Sequence, residues 1–280
     1  GLPMSQTAQT TLAHDVSFNG IGLHAANEVH MVLRPAPADT GIVFIRTDLP
    51  EKPSVQAHLT NVTNTMRATT LEKGSAKVFT VEHLLSALYG MEIDNCFVEM
   101  DSVEPPVADG SSLTFVKLIE EAGVRELDVP RRPLVIQKQH LIQDGDKFIA
   151  LVPYDGFRIT FTSINPHPML GVQFFDETVT KASYIEQISF ARTIAFTEEL
   201  EMLKKLGLGK GGTIENVVVY DKTSCLSVPR SDDELVRHKV LDIVGDLSLL
   251  GRPIRGHVIA VKSSHNLNNQ LTHQIFEELQ

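Results

Sequence analysis

His238, Asp242 and Asp246 recur every fourth residue in a segment otherwise rich in Val240, Leu241, Ile243, Val244 and Leu247. On a helix this spacing puts all three on one face. One reading is a solvated stripe with intrahelical pairs, helped by Arg237 and Lys239. The other is chemical: an imidazole and a carboxylate one turn apart can converge on one Zn²⁺, with Asp246 a turn further on as a supporting partner. Thr80-Val81-Glu82-His83 forms a second group in the first turn of its own helix. Helix amides and dipole favour an ionised carboxylate there, which suits a base that takes a proton from water. Alternatively, Glu82 only satisfies those amides and His83 packs on the core. A catalytic zinc takes three protein ligands and leaves a fourth position open, so His83 is a suitable third beside His238 and Asp242. In Ser263-Ser264-His265-Asn266-Leu267, His265 stands at a strand-to-helix junction, either presented to a site or incidental to a helix-capping turn.

Gly207-Leu208-Gly209-Lys210-Gly211-Gly212 matches the spacing of a dinucleotide-binding loop but not its context. That loop follows a strand and opens a helix, whereas here a helix precedes and the β-rich stretch Thr213 to Tyr220 follows. A flexible connection whose backbone approaches something closely is the better reading.

The elements that must carry these groups follow from periodicity. Val29 to Leu33, Ile42 to Arg46, Ala68 to Leu71 and Cys96 to Met100 read as strands. A helix runs from Val81 to Tyr89, with Thr80 as N-cap and Gly90 as C-cap. Ser111 or Ser112 opens a second helix, with Phe115, Val116, Leu118, Ile119 and Ala122 as its apolar stripe before Gly123. The charged, proline-bearing stretch Arg125 to Pro133 reads as a linker. Strands resume at Leu134 to Gln137, Lys147 to Val152 and Phe157 to Ser163, followed by helices at Thr197 to Leu206, Asp232 to Leu250 and Leu267 to Leu279. Both halves thus run strands first and helices later, which predicts an α+β protein of two domains of related layout, residues 1–127 and 128–280.

Composition bounds the partners. With 25 Lys and Arg against 35 Asp and Glu, the net charge is −10, unfavourable for wrapping nucleic acid or lying on an anionic membrane. Apolar runs such as Val258 to Val261 are strand-sized, so integral membrane contact is not expected. The first 30 residues lack a basic start followed by an apolar block, and Gly1-Leu2-Pro3 ahead of Met4 reads as an addition before a natural start. Cys96 and Cys225 stand alone rather than in a Cys-x-x-Cys pair, as in a reducing cytoplasm.

Taken in order, Thr80 to Leu84, Asp109-Gly110-Ser111, Ala191-Arg192-Thr193, Gly207 to Gly212, Arg237 to Asp242, Gly245-Asp246-Leu247 and His265-Asn266-Leu267-Asn268 resemble the UDP-3-O-acyl-N-acetylglucosamine deacetylases, zinc hydrolases of bacterial lipid A synthesis. The resemblance implies one zinc per chain held by His83, His238 and Asp242, with Glu82 as general base and His265 as the cationic acid. It implies that Thr193 stabilises the oxyanion, Asp246 orients His265 and Lys239 contacts the nucleotide of a UDP-3-O-acyl-N-acetylglucosamine substrate. It also implies a site between the two domains and a β-α-β insert at about 193–220 that encloses the acyl chain. There Ile194, Gly207, Gly209 and Gly212 would meet substrate, with Phe196, Leu200, Leu203, Leu206 and Leu208 as apolar surface. A cytoplasmic, Gram-negative-type setting follows, and no oligomeric partner is implied. The chain departs from the family at Ala25-Ala26, where Ser-Gly is common, at Ile194, often Phe, at Ser264, usually Gly, and in Ser224 to Leu235, which lacks a Gly-Leu-Arg element. A non-catalytic sugar-binding module would have no use for a paired base and acid, and a zinc peptidase is disfavoured because no His-Glu-x-x-His occurs.

Overall fold

Residues 7–280 are described in a computed structural model of the chain, so the reading of Gly1-Leu2-Pro3 lies outside the described residues. Among the described residues the chain forms eighteen strands, β1 to β18, and six α-helices, α1 to α6, in chain order. Strand β3 (Glu28–Pro35) buries Val29, Met31 and Leu33 and turns Glu28 and His30 outward, the period of two expected of a sheet with one face on a core. It lies in a five-stranded sheet ordered β2 (Val16–Ile21), β3, β9 (Cys96–Met100), β4 (Ile42–Arg46), β5 (Ser54–Gln56), antiparallel except for the β4–β9 pair. Strands β6 (Val62–Asn64), β7 (Thr70–Lys73) and β8 (Ala76–Phe79) form a small meander leading into helix α1 (Glu82–Gly90). Helix α2 (Leu113–Ala122) packs on β2.

The second sheet is ordered β12 (His140–Asp144), β13 (Lys147–Val152), β18 (Ile254–Val261), β14 (Phe157–Asn165), β15 (Gly171–Thr178), with β11 (Leu134–Val135) also paired to β18. Helices α3 (Lys181–Gln187), α5 (Glu234–Leu247) and α6 (His265–Leu279) belong to this half. Helix α5 packs on β14 and β15, and α6 on β12 and β13. Strands β16 (Ile194–Phe196) and β17 (Val218–Tyr220) pair in parallel and flank helix α4 (Thr197–Lys205). The architecture is α+β. At its centre α1 packs directly on α5, and one apolar cluster runs from Met31 and Phe44 through Leu84, Leu88, Val240 and Val244 to Ile159 and Leu271. Among the described residues, no helix is long and apolar enough to cross a membrane.

Several local expectations change. Thr80 does not cap α1: its backbone lies in the left-handed region at φ 58, its hydroxyl has no hydrogen-bond partner among the described residues, and Val81 occupies the cap position. Gly90 is the last helical residue rather than a left-handed cap, and its missing Cβ leaves room for the Tyr184 ring, whose Cδ1 would lie 2.3 Å from such an atom. The stretch read as a linker is largely β10 (Val124–Pro130), antiparallel to β1 (Ala8–Leu12), because Thr10, Thr11 and Leu12 offer it an edge. The strand expected at Ala68 to Leu71 starts later, at Thr70, and α6 starts earlier, at His265, because Ser264 accepts a hydrogen bond from the Leu267 amide.

Candidate metal centre and active site

Helix α1 delivers Glu82 and His83, and α5 delivers His238, Asp242 and Asp246. The two helices approach closely because residue 245 is glycine: a Cβ there would meet the Glu82 carbonyl oxygen at 2.2 Å. Ser86 of α1 reinforces the crossing by donating to the Leu241 carbonyl at 2.7 Å. Ser112, at the start of α2, donates at 2.7 Å to the carbonyl of His83 itself. This packing brings one ligand atom each of His83, His238 and Asp242 within 4.8 Å of one another. His83 Nε2 lies 3.4 Å from Asp242 Oδ1, and His238 Nε2 3.5 Å from Oδ2.

This donor set fits a metal. His238 Nδ1 faces the Ala191 carbonyl at 2.9 Å, and since a carbonyl only accepts, Nδ1 carries the hydrogen and Nε2 keeps its lone pair toward Asp242. Burial lowers His238 to about 4, so the ring is neutral, as a ligand must be. Asp242 Oδ1 is buried with no hydrogen-bond partner among the described residues, although buried carboxylate oxygens are normally satisfied. Burial alone would raise the Asp242 carboxyl, but the neighbouring His238, His265 and His83 hold it well below the usual carboxylate range. Burial alone would likewise lower His83, yet the Asp242 carboxylate beside it raises it. Two imidazoles and one carboxylate are a donor set typical of catalytic zinc.

The acid–base groups stand next to these donors. His265, in the first turn of α6, places Nε2 3.7 Å from Glu82 Oε1 and 3.7 Å from Asp242 Oδ2, while its Nδ1 meets Asp246 Oδ2 at 2.6 Å. Burial would depress His265, but Asp246 and Asp242 raise it to about 10, which leaves the ring cationic at neutral pH. Asp246 is fixed in turn by Asn268 Nδ2 at 3.0 Å and Thr69 Oγ1 at 2.8 Å. The amide of Thr69 donates to Glu82 Oε2 at 3.2 Å, so one residue holds both carboxylates. Glu82 differs electrostatically from the expectation: it is only 2% exposed, and burial raises its pKa despite the nearby His265 and its place at a helix start.

These groups open onto a cleft of about 810 Å³. Glu82, His83, Thr193, His238, Lys239, Asp242 and His265 line it, whereas Asp246 stands behind His265 and does not. Thr193 is positioned by a buried ion pair one residue earlier, where the Arg192 guanidinium meets Glu234 of α5 at 3.0 Å. The Thr193 amide also donates to Gly110 O at 2.9 Å. Position 110 must be glycine, since a Cβ would fall 1.7 Å from the Asn216 carbonyl oxygen. Of the expected passage residues, Ile194, Phe196, Leu200, Leu203, Gly209 and Gly212 line the cleft; Gly207 and Leu208 do not, and Leu206 is 58% exposed. A separate cavity of about 650 Å³ beside Tyr89 and Arg131 contains none of these residues.

Sequence reasoning missed Thr69, whose partners are distant in the chain, and the Ala191 carbonyl, which has no side-chain signal. His24, which also lines the cleft, stands in no pattern that marks it in the sequence. Asn268 lies within a recognised motif, but its bond to Asp246 joins α6 to α5 across 22 positions.

The profile of the UDP-3-O-acyl N-acetylglycosamine deacetylase family matches residues 9–277. A Myxococcus xanthus protein named UDP-3-O-acyl-N-acetylglucosamine deacetylase is 45% identical over 272 residues, covering 96% of this chain and 87% of its own length. Proteins of the same name from Pseudomonas entomophila and Anaeromyxobacter dehalogenans are 43% and 42% identical, covering 96% and 98% of this chain and 90% and 89% of their own.

Proposed function

The chain belongs to the UDP-3-O-acyl N-acetylglycosamine deacetylase family, and from that premise we propose that Glu82, His83, His238, Asp242 and His265 form the site at which it works. It is a hydrolase that removes the N-acetyl group of UDP-3-O-acyl-N-acetylglucosamine and releases acetate, the committed step of lipid A biosynthesis. The observation that carries the site assignment is the convergence of His83, His238 and Asp242 on one point beside Glu82 and His265.

The metal is one Zn²⁺ per chain, held by His83, His238 and Asp242; when bound it supplies Lewis-acid polarisation of the amide carbonyl and a lowered pKa for water. Glu82 takes the proton from the attacking water at its carboxylate. Thr193 and the imidazolium of His265 stabilise the charge that develops on the acetyl oxygen. His265 then gives its Nε2 proton to the departing glucosamine nitrogen, while Asp246 on Nδ1 keeps the ring aimed and charged. Lys239 holds the nucleotide, and Ile194, Gly209 and Gly212 enclose the acyl chain, with Gly207 shaping the turn behind them. Residues 1–127 and 128–280 act as two α+β halves that contribute the two sides of the site. A nucleotide-sugar substrate fits an enzyme of the cytoplasm of a Gram-negative-type bacterium that acts without nucleic acid or integral membrane contact, and the reading implies no oligomeric partner.

The test is a pair of substitutions that spare the metal ligands. Glu82→Gln and His265→Ala should each lower kcat by about 10² to 10⁴-fold while zinc stays bound, general acid–base groups typically contributing that much. Wild-type activity should fall at both pH extremes. An unchanged kcat in His265→Ala, or a flat pH profile, contradicts the assignment.

A further inference from the structure

Glu104 is fully buried, at 0% exposed, and lies outside every group used so far. Its Oε1 accepts two backbone hydrogen bonds, from the His24 amide at 2.8 Å and the Ala25 amide at 2.9 Å. The turn it holds is closed by Gly22 N donating to Asn27 O at 3.0 Å and Ala26 N to Gly22 O at 3.2 Å, with Ala26 in the left-handed region at φ 55. Gly22 has no alternative there, since a Cβ would sit 2.3 Å from Glu104 Oε1. A buried carboxylate is costly unless hydrogen-bonded, so carboxylate and turn stabilise each other.

The same turn presents its carbonyls outward to the glycine-rich segment after α4. Gly211 N donates to Leu23 O at 2.8 Å and Lys210 N to His24 O at 3.2 Å. A Cβ on Gly211 would meet Gly22 O at 2.2 Å, so the two backbones are in direct contact. Leu23 packs with Leu200 on a small apolar cluster of Ala195, Val217 and Val219, separate from the main core. Leu23 therefore forms part of the cleft wall, beside Ala195 of β16 and Leu200 of α4. The fixed position of that wall, and of the segment docked on it, traces back through two amides to one carboxylate.

We propose that Glu104 is a positioning residue for acyl-chain specificity: it holds the Gly22–Asn27 turn in the shape on which residues 210–212 dock, and so sets the width of the passage. The proposal rests on the reading of that arm of the cleft as the acyl passage. Its chemistry requires an oxygen acceptor at this point rather than a charge. Glu104→Gln, which keeps a carbonyl oxygen, should therefore behave like wild type, whereas Glu104→Ala releases both amides.

The experiment compares wild type, Glu104→Gln, Glu104→Ala and Gly211→Ala, all zinc-loaded. One readout is kcat/KM on long-acyl, short-acyl and non-acylated UDP-N-acetylglucosamine, and the other is hydrogen exchange at the Lys210 and Gly211 amides. Glu104→Ala and Gly211→Ala should lose about tenfold or more on the long-acyl substrate and less than about threefold on the non-acylated one, as expected when a binding wall shifts by a fraction of an ångström. Exchange at Lys210 and Gly211 should rise in Glu104→Ala and stay low in Glu104→Gln. Equal losses on all three substrates, or unchanged exchange in Glu104→Ala, overturn the proposal. If Glu104→Ala does not fold, Gly211→Ala carries the same test, and an unaltered chain-length ratio in it is decisive against the idea. A wild-type enzyme indifferent to acyl length removes the passage reading, and the specificity role with it, whereas unchanged exchange removes the coupling itself.

Discussion

His265 sits between carboxylates with different tasks: Asp246 binds its Nδ1 at 2.6 Å, and Glu82 and Asp242 face its Nε2 at 3.7 Å. Its value of about 10 in the metal-free protein comes from overriding burial with these charges, Asp246 first. Because this lies above the 6.5 of an unfolded histidine, the associated stabilisation is fully present below pH 6.5 and is lost as pH rises through about 10. Removing the Asp246 charge should pull His265 down. Metal-free Asp246→Asn should show the His265 ring titrating lower by NMR, and its melting temperature should fall less between pH 6.5 and 10 than that of metal-free wild type. A His265 titration identical in the two proteins would exclude Asp246 as the source. Residues of this kind were only partly legible in the sequence. His238, Asp242 and Asp246 share a helix face, so spacing reveals them, whereas Thr69 reaches Asp246 across 177 positions and Glu104 reaches His24 across 80.

At the scale of elements, the site depends on the crossing of α1 and α5, since each contributes part of the ligand set. Gly245 is a point of close approach between them. Gly245→Ala forces a methyl group into the Glu82 carbonyl, 2.2 Å away, and the helices must separate to admit it. Overpacking of this kind costs about 1 to 3 kcal/mol, so the variant should melt at lower temperature and bind zinc more weakly. Unchanged melting and zinc affinity would show that the crossing is looser than this contact implies. The helices themselves were readable because apolar periodicity is strong over 14 residues of α5. Their ends were not: Thr80 looks like a cap by type but turns through a left-handed conformation, and Gly90 serves the packing of Tyr184 rather than a chain reversal. The supposed linker illustrates the same limit, because charge and proline mark a surface segment but not whether another strand pairs with it.

At the scale of the whole molecule, both halves of the chain meet in one apolar cluster that contains no metal ligand, so removing zinc should silence the enzyme without unfolding it. The α+β class was legible from the order of strands and helices. The pairing of β4 with β9 and of β14 with β18 in parallel was not, because strand order in a sheet is set by contacts that no local pattern records. The central claim is that His83, His238 and Asp242 hold the catalytic metal for amide hydrolysis. Metal content and acetate release from UDP-3-O-acyl-N-acetylglucosamine, measured side by side on wild type, His83→Ala and Asp242→Ala, test it most directly. The account predicts about one zinc per chain and steady acetate release for wild type, and loss of both in each variant while the fold persists. Either variant retaining full zinc and full turnover would contradict it.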